Sequence, residues 1–94
     1  MNNELAKKHE WDELDKRIRE FLYNKLSDEY GIDVIDDNTE LIDSKILSSL
    51  FLINCLAGIE ELSGLQIVND DVGIDDFSTI NKILKSTQLA FDRI

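Results

Sequence analysis

The chain has 94 residues, with 20 Asp and Glu against 10 Lys and Arg for a net charge of −10, and 43% of it is apolar. A length of that order accommodates one domain spanning 1–94, and the apolar fraction places it among globular chains rather than disordered ones. The acid excess excludes a nucleic-acid binder that works by neutralising phosphates and disfavours anionic lipid, while one cysteine and one histidine exclude a disulfide framework and the common Cys/His zinc sites.

In chain order, residues 3 to about 26 read as a helix. Trp11, Leu14, Ile18 and Phe21 recur at three- and four-residue spacing, and Leu22 and Leu26 widen the stripe. Asp12, Asp15, Lys16 and Arg19 fall on the opposite, solvated face, and His9 reads as a surface residue. From Ser27 to Ser48 the periodicity fails: Gly31 and the Asp36-Asp37-Asn38 cluster mark a long loop. Its apolar residues, among them Ile32, Leu41, Ile46 and Leu47, supply anchors to the core. Asp33, Asp36 and Asp37 lack the central glycine and terminal glutamate of a calcium loop, so they are expected to be solvated and no metal is expected.

The second helix is expected over about 49–62. It carries Leu50, Ile53, Leu56 and Ile59, flanked by Phe51, Leu52, Cys55 and Leu62, with Ser49 as N-cap and Gly64 as stop. So wide an apolar band predicts that this helix is the central one. Glu60 and Glu61 in its last turn oppose the macrodipole, which fits either a face kept for a basic partner or plain solubility. Leu65 to Val68 forms a short connector, and Asp70 to Phe77 leaves room for a helical turn or two. A last helix begins near Ser78 as N-cap and carries Ile80, Ile83, Leu84, Thr87 and Phe91. The expected fold is all-α, a small four-helix bundle of three main helices and a short one, with a long loop between the first and second.

The charge is concentrated. Residues 1–26 are neutral and 78–94 are slightly basic, whereas 27–77 hold thirteen acids against Lys45 alone. No apolar run is long enough for a signal core or a membrane span, so the expected location is the cytoplasm.

No catalytic pattern stands out. There is no nucleophile elbow, phosphate-binding glycine loop or His-Glu-x-x-His run. Cys55 lies mid-helix among leucines as a small core residue, and Glu60 and Glu61 point about 100° apart, poor geometry for a shared acid–base pair. The chain is therefore not expected to be an enzyme. What remains is Ser49. A serine at a helix start after a long loop is exposed, and the free N–H groups there favour an attached or bound anion; equally, it serves as a plain N-cap.

The run Leu41-Ile42-Asp43-Ser44-Lys45-Ile46-Leu47-Ser48-Ser49-Leu50 resembles the acyl carrier proteins, which bear a phosphopantetheine arm on a serine at the start of helix II. Ile59-Glu60-Glu61-Leu62-Ser63-Gly64-Leu65-Gln66-Ile67 resembles that family's acidic helix end and connector, and Asp76-Phe77-Ser78-Thr79-Ile80 the entry to its last helix.

The resemblance implies that Ser49 takes phosphopantetheine from coenzyme A, making the chain a phosphoprotein that holds an acyl or aminoacyl group as a thioester. Leu50, Ile53, Asn54, Glu60 and Glu61 would form the face that partners read. Those partners are a phosphopantetheinyl transferase and acyl or aminoacyl ligases or synthases, and basic grooves on them would give fast, salt-sensitive encounters with a monomeric carrier. Ser48 stands where the family has an aspartate, and Asn54 where it has an acid. These departures point away from bulk fatty-acid synthesis to a specialised pathway, such as polyketide assembly, lipid modification or aminoacyl transfer. Ser48 is out of register with Leu50 for the attachment role. The rival reading is an unmodified acidic helical adaptor with a degenerate carrier motif.

Overall fold

The computed structural model describes residues 3–32, 36–41, 48–69 and 72–93, with side chains from residue 6 onward. Among them the fold is all-helical: α1 (Asn3–Tyr30), α2 (Ser49–Ser63), a short 3-10 helix α3 (Ile74–Phe77) and α4 (Ile80–Asp92), with no strand. The expectations for Asp33, Ile42, Lys45, Ile46 and Leu47 lie outside the described residues.

α1 runs four residues past its expected end, because the four-residue spacing that buries Ile18, Leu22 and Leu26 continues to Tyr30. The Tyr30 ring meets the edge of Phe51 of α2 at a centroid distance of 4.9 Å, nearly perpendicular. Gly31, at φ 66°, then stops the helix in the left-handed conformation and donates to Ser27 O at 2.9 Å. Trp11, Leu14 and Phe21 sit at the half-buried margin of the stripe, and His9 is exposed as expected.

α1, not α2, is the central element: it packs against both α2 and α4. Its 28 residues make a rod about 42 Å long, which sets the 46 Å long axis of the molecule. The wide band on α2 gave a different expectation because only part of it is buried. Leu52, Cys55, Leu56 and Ile59 face the core, whereas Leu50 and Ile53 face solvent. Where Gly58 passes α1 it leaves the space that the Phe21 ring fills; a Cβ there would collide with the ring tip. Leu41, Leu65, Ile67, Phe77, Ile80, Ile83 and Leu84 complete the core.

α4 begins one residue later than expected. Its N-cap is Thr79, whose Oγ1 accepts from Lys82 N at 3.0 Å; the buried Ser78 instead presents its carbonyl to Leu41 N at 2.7 Å. Thr87, fully buried, donates its hydroxyl to Ile83 O at 2.8 Å, so its own donor is paired in the core. No basic residue lies in the last turn of α4, and Lys7 of α1 serves there. Its Nζ donates to Asp92 O at 3.2 Å and lies 5.4 Å from the centroid of the Phe91 ring, which packs against Trp11.

Asp37 corrects the expectation of solvated loop carboxylates. Asp36 is exposed, but Asp37 is half-buried, paired with the Arg19 guanidinium and accepting from Tyr23 Oη at 2.7 Å, while its carbonyl accepts from Asn81 N at 3.0 Å. One loop residue thus ties α1 to the start of α4. The hydrogen bond from Arg19, then that from Tyr23, holds the Asp37 carboxyl below the usual carboxylate range; the same contact with Asp37 raises the Tyr23 phenol above its own.

An unfolded aspartate titrates near 3.9. The Asp37 contribution is therefore full at neutral pH and is lost as pH falls below about 4 and through the lower folded value. Urea midpoints measured between neutrality and acid are expected to fall in that window. Asp37→Asn is expected to cost about 1 kcal/mol at neutral pH, the worth of a charge-assisted hydrogen bond discounted for partial exposure, and to flatten the acid limb. An acid limb identical in the variant would refute the assignment.

Candidate functional site at the start of the second helix

Ser48 and Ser49 are both suited to capping, and the fold assigns the job to Ser48. Its backbone is extended (φ −78°, ψ 157°), its Oγ accepts from Phe51 N at 3.1 Å, and its carbonyl accepts the first helical bond, from Leu52 N at 3.1 Å. This corrects the sequence expectation, which placed the cap at Ser49; a cap has extended backbone and lies one residue before the helix proper. Ser49 is the first helical residue, exposed, and relieved of the capping role. The N–H groups of Ser49 and Leu50 have no partner within the helix, so the positive end of α2 lies beside the Ser49 hydroxyl. No acidic residue sits in this first turn.

Of the five other residues singled out from sequence, four are exposed together. Leu50, Ile53, Asn54 and Glu61 follow one another at spacings of three, one and seven, which puts them with Ala57 on one face of α2. Leu50 is 69% exposed and Ile53 56%. Phe51 and Leu52 do not join them: Leu52 is fully buried, and Phe51 packs half-buried against Tyr30.

Glu60 has a different employment. Its Oε2 accepts from Ile67 N at 2.8 Å and Val68 N at 3.0 Å, folding the connector back on the end of α2 so that Leu65 and Ile67 enter the core. The two N–H groups offset the unfavourable dipole at the helix end, a physical reason for an acid there that needs no partner. Gly64, at φ 72°, closes α2 by donating to Glu60 O at 2.8 Å, as its position in the sequence predicted.

Sequence reasoning missed Glu60 as a pin for the connector and the Arg19–Asp37–Tyr23 cluster. For Glu60 the signal was present, since a carboxylate in a last turn asks for donors nearby. For the cluster there was none, because its partners come from distant parts of the chain.

Cys55 is 2% exposed, and burial pushes its thiol up to about 11. A thiol held so far above neutrality carries almost no thiolate near pH 7. Among the described residues no group of His, Cys, Asp and Glu is arranged to hold a metal, and no helix is long and apolar enough to cross a membrane. Comparison of the chain with protein-family models, curated proteins and solved structures gives no match.

Two measurements check this assignment. Ser48→Ala is expected to lower stability by about 1 kcal/mol through loss of the cap, whereas Ser49→Ala leaves the urea midpoint nearly unchanged; equal effects would contradict it. Cys55 is expected to resist a chromogenic thiol reagent in the native protein at mildly alkaline pH and to react once unfolded, so rapid native labelling would disprove its burial.

Proposed function

We propose that the chain is an acyl carrier protein whose Ser49 bears phosphopantetheine donated by coenzyme A. The observation that carries the reading is the division of labour between the two serines. Ser48 closes the helix end, which leaves the exposed Ser49 hydroxyl at the positive end of α2 without a structural duty. The residues present fit the group. A phosphodiester on Ser49 would be favoured by the helix dipole and by N–H groups without a partner inside the helix, and would meet no carboxylate in the first turn. When attached, the arm supplies the terminal thiol that holds an acyl or aminoacyl group as a thioester.

On this reading the chain's own residues make no bond in the loaded group. Ser49 anchors the arm, Ser48 fixes the helix end beneath it, and the exposed face of α2 faces a phosphopantetheinyl transferase and the ligases or synthases that load and unload the arm. On this reading the short helix Ile74–Phe77 would correspond to the short helix of a carrier-type bundle. The serine in place of the family's acid at position 48 fits a specialised pathway.

The test is intact mass spectrometry after incubation with coenzyme A and a broad-specificity transferase. One phosphopantetheine adduct is expected on the wild type and on Ser48→Ala, and none on Ser49→Ala. Absence of an adduct on the wild type would favour an unmodified helical adaptor instead. An adduct surviving Ser49→Ala would move the attachment elsewhere.

A further inference from the structure

We draw no further inference here: the strongest candidate, the open cleft between the start of α1 and the end of α4 lined by Lys7, Lys8, Trp11, Gln88, Phe91 and Asp92, carries charges of both signs, has Lys7 already engaged with Asp92 O and the Phe91 ring, and nothing in the structure shows what covers it.

Discussion

Asp37 is the point on which the arrangement of the helices depends. The connection from α1 to α2 is long, and closing a long connection has an entropic cost that grows slowly with length but must be offset by contacts along it. Asp37 supplies two kinds at once. Its carboxylate is held from α1 by Arg19 and Tyr23, and its carbonyl receives the Asn81 N–H from the first turn of α4. Four residues on, Leu41 buries its side chain and donates its N–H to Ser78 O. The connection is thereby tied to α1 and to the start of α4. The opposite end of the same helix pair is closed by Lys7, Phe91 and Trp11.

Most of the helical framework was legible in the sequence, because helix existence depends on local spacing. Ile18, Leu22 and Leu26 on α1 and Ile80, Ile83, Leu84 and Thr87 on α4 are buried where the period places them. Gly64 stops α2 for a reason visible in one residue, its tolerance of positive φ. What failed to show was non-local. Two consecutive serines offer equal capping chemistry, and local spacing does not say that Ser48 is the one that accepts from Phe51 N. Eight apolar residues within α2 cannot announce which of them meets α1; packing at Gly58 and Phe21 selects Leu52, Cys55, Leu56 and Ile59 and turns Leu50 and Ile53 outward. The role of Asp37 depends on Arg19 and Asn81, 18 residues before it and 44 after it in the numbering.

The same selection leaves Leu50, Ile53, Asn54 and Ala57 exposed and uncharged on α2 ahead of Glu61, although that helix lies in the acidic middle of the chain. Concentrated charge in the sequence invites the reading that acids line the recognition helix. In the fold, three carboxylates from that stretch are engaged internally: Glu60 by N–H groups of the connector, Asp76 by Gly73 N, and Asp37 by the Arg19 and Tyr23 side chains. Each is satisfied by fixed donors, a role in which a negative charge is worth more than in water because its partners are already in position. Acids used in this way are poor docking groups, since a partner would have to compete with those donors. The surface beside Ser49 is then left to side chains that the core did not take. Those are Leu50 and Ile53, whose aliphatic side chains are exposed because α2 turns its other apolar face to the core.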